Sequence, residues 1–267
     1  MKAGVVWKNI GETPLQAIRR FRIRNTIPDS IPLTYSGRLD PMADGKILVL
    51  VGDECKKESE YRSLEKEYLV EVLLQCSTDT GDILGIPNYT MPQNELVLRQ
   101  PTLDSALQSL VGVHAWPYPH YSSKPVHGKP LHQWSREGKI DTIEIPRTKS
   151  HIKSIKVTSI THIHSGTLLS TIQKKINSLS LYNDNKPCPE FRQKEIAQAW
   201  EQLLVPNTTQ FTIIHIRVVA GSGTYMRTLC EKIGQLLMTE GCALSIRRTK
   251  IGTRRNFFGF HFWWPRW

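Results

Sequence analysis

The sequence predicts a mixed α/β (α+β) fold, and two patterns predict it. Stretches with the two-residue alternation of a half-buried strand, 66–76 and 152–164 among them, interleave with stretches of helical period such as 224–238. The strand-like stretches have hairpin-like neighbours as well as crossover connections, which disfavours a doubly wound parallel sheet. At 267 residues the chain can bury a sizeable core, and its 39% hydrophobic content is ordinary for a globular protein. No apolar run approaches the roughly 20 residues needed to span a bilayer.

Residues 3–7 read as a first strand rather than a signal peptide, because no small-residue cleavage site follows. Thr13 then offers an N-cap and Pro14 a first helical residue. Leu15, Ile18 and Phe21 share one helical stripe, Arg19, Arg20, Arg22 and Arg24 take other faces, and the helix stops before Pro28. The apolar run 47–51 is of strand length, and 55–65 is charged and helical. Over 66–76, Tyr68, Val70, Val72, Leu74 and Cys76 point one way, Glu71 and Gln75 the other. Thr102 caps a helix that turns Leu103, Ala106, Leu107 and Leu110 inward. Residues 116–138 read as an ordered loop leading into a short helix, 131–137. Strands follow at 152–164 and 211–219, then the helix 224–238 with Met226, Leu229, Ile233 and Leu237 on its stripe. A basic strand or turn covers 243–251. The polar segment 171–209 includes a helix at 190–204 and has the composition of a surface insertion rather than of a core element.

The five cysteines, Cys55, Cys76, Cys188, Cys230 and Cys242, are scattered and form no C-x-x-C pair, which suits buried free thiols in a reducing cytoplasm. The net charge of +11 is concentrated at the two ends. Residues 1–38 carry seven Lys/Arg against two acids, and 217–255 carry eight against two, leaving the remainder neutral. Brought together by the fold, those ends would form one basic face, the footprint of a polyanion binder.

Three stretches invite chemistry. AGSGTY, 220–225, precedes a helix, but it lacks the third glycine of a dinucleotide loop, the lysine of a phosphate loop and the spacing of a nucleophile elbow. It reads as a strand-to-helix turn whose N–H groups can face a phosphate. His162 and His164 share a strand face without a third or fourth metal ligand nearby. YSGRLDPMADGKILVL, 35–50, is different. It sets Asp40 between Leu39 and Pro41, with Gly37 and Gly45 permitting close backbone approach. Arg38 and the distant Arg227 are potential cationic partners for Asp40, while Asp44 is an ordinary turn aspartate.

GRLDPMADGKILVL resembles the signature G-x-L-D-P-x-A-x-G-x-L of TruB-type pseudouridine synthases, and four further blocks occur in that family's order. WKNIGETPLQAIRR resembles its N-terminal K-P-x-G-x-[ST]-S block, and KEYLVEVLLQCSTDTGDILG resembles K-x-Y followed by T-x-T-x-D-x-x-G. PHYSSKPVHGKPLHQWSREG resembles P-x-Y-S-A-x-K-x-x-G-x-x-L-Y-x-x-A-R-E-G. GSGTYMRTLCEKIG and ALSIRRTKIG resemble the closing blocks, so the likeness spans most of the chain from Trp7 to Phe258.

The resemblance implies the mixed, largely antiparallel sheet of the pseudouridine synthase core with flanking helices. It implies Asp40 as catalytic aspartate, Tyr68 stacked on the target uracil, Arg227 paired with the aspartate and Ile246 lining the uracil pocket. Tyr35, Gly37 and Arg38 would touch substrate, and Lys8, Arg19, Lys124, Lys129, Arg247 and Arg248 would hold RNA phosphates. It implies no cofactor and no metal. The reaction it implies detaches uracil from C1′, rotates it and rejoins it through C5, on a base flipped from its stack. The departures are Tyr35 for an RNA-contacting His, Ser36 for Thr, Asn9 for Pro, Pro125 for a Lys (with Lys124 beside it) and His132 for a Tyr.

The expectation is a single catalytic domain over 1–267, carrying an insertion at 171–209 and no C-terminal RNA-binding domain. It would act as a cytoplasmic monomer on the T-loop uridine of tRNA. An RNA-folding chaperone without essential catalysis, or a synthase acting on another RNA, are the alternatives.

Overall fold

The structure is a computed structural model describing residues 2–88, 96, 98–179, 192–206, 209–257 and 260–264. Its strands are β1 (Ala3–Lys8), β2 (Leu33–Ser36), β3 (Asp44–Val51), β4 (Glu65–Leu74), β5 (Ser77–Thr78), β6 (Pro87–Asn88), β7 (Gly112–Pro117), β8 (Pro125–Val126), β9 (Lys129–Pro130), β10 (Arg147–His164), β11 (Gln210–Ala220), β12 (Gly241–Phe257) and β13 (Phe260–Trp264). Its α-helices are α1 (Pro14–Arg24), α2 (Glu58–Arg62), α3 (Gln100–Gln108), α4 (Leu131–Arg136), α5 (Ser165–Ser178), α6 (Gln193–Leu204) and α7 (Met226–Leu236). No helix among the described residues is long and apolar enough to cross a membrane.

The main sheet has nine strands among the described residues, running β1-β3-β12-β4-β11-β10-β7, with β2 on β3 and β13 on β12. Every pairing is antiparallel except β3 with β12, a short parallel contact of Arg247 with Asp44 and Arg248 with Gly45. The sheet is therefore mixed and largely antiparallel, as the resemblance implies. At that junction the backbones nearly touch: a Cβ on Gly45, whose φ is +118°, would lie 2.3 Å from the Arg248 carbonyl oxygen. Only glycine fits there.

β3 is buried on both faces, which explains its unbroken apolar run. Ile47 and Val49 enter the main core, while Leu48 and Leu50 pack with Leu64 and Ile251 on the other side. Helix α1 begins as expected, with Thr13 and Gln16 forming a reciprocal capping box ahead of Pro14. Its inward residues are Ala17, Ile18 and Phe21, and Leu15 faces solvent. On α7, Met226, Leu229 and Ile233 are buried as the stripe demands.

Several boundaries differ from expectation. The helix expected at 55–65 divides into a 3-10 turn, Gly52–Lys57, and α2, because Glu65 already pairs with Gly252 in the sheet. Arg99 rather than Thr102 sits at the N-cap of α3, since Pro101 is compatible with its first turn. β7, within the expected loop or before it, exists because β10 starts at Arg147 and supplies it with a partner. β12 runs on past Ile251 because β13 folds back onto it.

The surface reading of 171–209 is corrected. Ile172 and Ile176 of α5, with Ile196, Trp200 and Leu204 of α6, belong to the main hydrophobic core. Trp200 is fully buried and its indole N–H donates to the carbonyls of Ile83 and Gly85 at 3.1 and 3.2 Å. Residues 180–191, including Cys188 and the first residues of the expected helix, lie outside the described residues.

Candidate active site

Asp40 sits in the turn that feeds β3. Leu39, Met42 and Ala43 are buried around it, and the Ala43 N–H closes the turn on the Asp40 carbonyl at 3.1 Å. Two buried cations fix this turn. Lys8 donates to the carbonyl oxygens of Ala43 at 2.7 Å and Asn9 at 3.0 Å, with Pro41 at 3.5 Å. Arg248 donates to Lys46 O at 2.6 Å and, across the turn, to Gly37 O at 2.9 Å. Gly37 has a φ of +77°. These contacts correct the expectation for Lys8 and Arg248. They are 0% and 1% exposed, so neither is available to an RNA phosphate. Their alkyl stems pass through the core and their heads are spent on backbone carbonyls.

The Asp40 carboxylate meets Arg227 from the first turn of α7. Arg227 Nε donates to Asp40 Oδ2 at 2.8 Å, Nη1 to Thr80 O at 2.8 Å and Nη2 to Tyr121 O at 3.3 Å. The guanidinium thereby joins the Asp40 turn, the β5 hairpin and the loop before β8. Asp82 Oδ2 lies 3.7 Å from the same Nε and also receives the Leu84 N–H at Oδ1. Burial opposes the Arg227 charge, but Asp40 and Asp82 outweigh it and hold the group above its ordinary range. Asp82, the more enclosed acid, is pushed up to about 6 by burial, with Arg227 pulling against that and Asp40 adding to it. Arg227 thus has its direct bond to the part-exposed Asp40 and a longer ion pair, at 3.7 Å, to the buried Asp82.

Tyr68 and Ile246 are both buried core residues, on neighbouring strands β4 and β12, in the same cluster as Leu39 and Met42. Two tyrosines that sequence reasoning missed complete the surroundings. Tyr225, the N-cap of α7, has its hydroxyl raised by burial and by Asp40. Its ring packs edge-on against Tyr118 at 5.7 Å, and Lys124 lies 5.4 Å from the Tyr118 ring centre. Tyr225 closes the AGSGTY turn, whose glycines are its more conspicuous signal in the sequence.

The other expected residues lie elsewhere around this centre. Tyr35, in β2, is half-buried against the core, and its hydroxyl accepts from Arg38 at 3.4 Å. Arg38 is exposed and also donates to Ser123 Oγ. Arg19 is exposed on α1. Lys129 is held by Glu137 at 2.6 Å and lies 4.1 Å from the Trp134 ring centre. Arg247 forks onto Asp44 and sits 5.7 Å from the Trp7 ring centre. The basic ends of the chain do meet, since β1 and β12 both flank β3. Asn9 uses an N–H that proline would lack, donating to Glu12 at 2.8 Å, and Glu12 also binds Arg20. His162 and His164 face Thr212 and Gln210, and no cluster of three or more metal-ligating side chains occurs among the described residues.

Residues 32–176, more than half of the chain, match the TruB family pseudouridylate synthase N-terminal domain. The chain belongs to the TruB family. It is 28% identical over 218 residues to tRNA pseudouridine synthase B of Caldicellulosiruptor saccharolyticus, covering 82% of this chain and 57% of that protein. It is 26% identical over 243 residues to tRNA pseudouridine synthase 4 of Saccharomyces cerevisiae, covering 79% and 58%. The chain thus spans somewhat over half the length of these curated relatives. A chain of the solved structure described as a Cbf5-Nop10-Gar1 complex superposes on it with a TM-score of 0.52 and 14% identity, over 93% of this chain and 49% of that one. That likeness shows a shared fold.

Proposed function

We propose that this chain is a tRNA pseudouridine synthase that isomerises the T-loop uridine, position 55 in tRNA numbering, with Asp40 as the reacting carboxylate. The observation that supports it most is the bond between a part-exposed Asp40 and a buried Arg227 at 2.8 Å, with side chains 30% and 3% exposed. A carboxylate in such a setting keeps one side open to substrate. Behind it, the guanidinium aims it through a charge-assisted hydrogen bond. Asp40 then acts on the sugar or the base and helps remove the C5 proton after the uracil has turned. The reaction is an isomerisation, so no electron acceptor enters its balance.

Tyr68 and Ile246 supply the apolar bed for the uracil. Stacking a flipped base on an aromatic ring is worth about 1–3 kcal/mol, which offsets part of the unstacking cost. Exposed cations such as Arg19 and Arg247, with the half-buried Lys124, give affinity for the RNA backbone. The chain acts as one catalytic domain, as a cytoplasmic monomer. Tritium release from C5-labelled uridine in a tRNA transcript tests the proposal. Release by the wild-type protein and none by Asp40→Asn is expected. Equal release by both, or none by the wild type, would overturn it.

A further inference from the structure

The surface beside Asp40, whose side chain is 30% exposed, carries at its rim a cation that the pairing with Arg227 does not use. Arg38, two residues before Asp40, is exposed, and among the described residues no carboxylate lies within ion-pair distance of it. Its two hydrogen bonds are both to neutral hydroxyls, Nη1 donating to Ser123 Oγ and Nη2 to Tyr35 Oη at 3.4 Å. Ser123 and Tyr35 come from different parts of the fold, the loop before β8 and strand β2. The guanidinium plane is therefore oriented without being neutralised. A guanidinium carries five N–H donors in a fixed fork, so three remain for a ligand.

Its neighbours are used otherwise. Arg227 is bound to Asp40, Arg247 to Asp44 and Lys129 to Glu137, while Arg248 is spent on backbone carbonyls. Arg38 and Asp40 also border the same space: they are two residues apart, and the loop before β8 meets Arg38 at Ser123 Oγ and Arg227, the partner of Asp40, at the Tyr121 carbonyl. A substrate that enters this space with its base extruded must bring its backbone to the rim, since the nucleotide rotates about its flanking phosphodiesters. A planar, uncompensated fork at that rim matches a phosphate in charge and in geometry.

We infer that Arg38 anchors a phosphodiester flanking the flipped nucleotide, with the Tyr35 and Ser123 hydroxyls holding its guanidinium in orientation. The inference rests on reading this site as one that modifies RNA, and names the group by which it grips that substrate. Tyr35 then acts through its hydroxyl, an acceptor for the anchor that a phenylalanine would not supply.

Binding of a T-arm RNA hairpin to Asp40→Asn protein, measured between about 50 and 200 mM salt, separates this from catalysis. Adding Arg38→Ala should weaken binding on the order of tenfold and reduce the slope of log affinity against log salt by about 0.7–0.9. Arg38→Lys should keep most of the slope but recover only part of the affinity, because a point charge lacks the fork. Tyr35→Phe and Ser123→Ala should each weaken binding by about two- to threefold at unchanged slope. In the Asp40-intact protein the loss from Arg38→Ala should fall mainly on KM. An unchanged salt slope in Arg38→Ala, a loss confined to kcat, or tighter binding by Ser123→Ala would overturn the assignment. A wild-type protein that releases no tritium while its salt slope still depends on Arg38 would sink the synthase reading and leave the anchor standing.

Discussion

Asp40 and Asp44 lie four residues apart in one turn, and each is bonded to an arginine, yet the two pairs are built in opposite senses. The Asp40 side chain is 30% exposed and its partner Arg227 is 3% exposed. The Asp44 side chain is 10% exposed and its partner Arg247 is 52% exposed. In the first pair the cation lies behind the carboxylate and leaves its face open. In the second the cation lies over the carboxylate and closes it. The same two residue types thus give one acid left open to solvent and one that fastens the start of β3 to β12.

Replacing the two arginines exploits this difference. Arg227→Met should cost about 3–5 kcal/mol of stability, because Asp82 is left buried without its counter-charge. It should also lower isomerisation on the order of a hundredfold, as Asp40 loses the partner that orients it. Denaturant unfolding together with tritium release reads both, and Arg227→Lys should recover part of each. Arg247→Met should cost no more than about 1 kcal/mol, the scale of an exposed ion pair, and change the rate only severalfold. Equal losses in the two variants would erase the distinction.

The smallest effect concerns two buried lysines, Lys8 beneath the turn and Lys66 at the start of β4, whose ammonium donates to the Arg62 and Leu64 carbonyls at 2.6 Å. Burial lowers Lys66 to about 7 and Lys8 to about 8, both from an ordinary value of 10.5. The unfolded chain binds these protons more tightly, so their contribution to stability rises with pH from about 7 to 10.5. Asp82 works in the opposite sense and lower, its contribution falling as pH rises from 3.8 to about 6. Thermal unfolding across pH 7 to 10 checks the first window. Lys66→Met should flatten the rise there, and an unaltered rise would show that Lys66 stays charged and solvated in the folded protein.

Asp40 was legible because its flanking motif is local, and Arg227 because another motif carried it. Lys8 and Arg248 were misread for a physical reason: a sequence counts charges but does not show where a long alkyl stem leads. Both reach backbone carbonyls inside the molecule, not solvent. The core role of α6 was present as a signal, since Ile196, Trp200 and Leu204 recur every four residues and form one stripe. Polar neighbours hid it in the average composition. β7 was not legible, because a strand of only six residues depends on the edge that β10 offers it. Tyr118 and Tyr225 meet only through the fold.

The central claim is that the open carboxylate reacts and the covered one does not. Tritium release from C5-labelled uridine in a tRNA transcript, compared between Asp40→Asn and Asp44→Asn, tests it most directly. The account predicts a loss of about a thousandfold or more for Asp40→Asn and a rate within severalfold of wild type for Asp44→Asn. Comparable losses in the two variants, or turnover retained by Asp40→Asn, would contradict it.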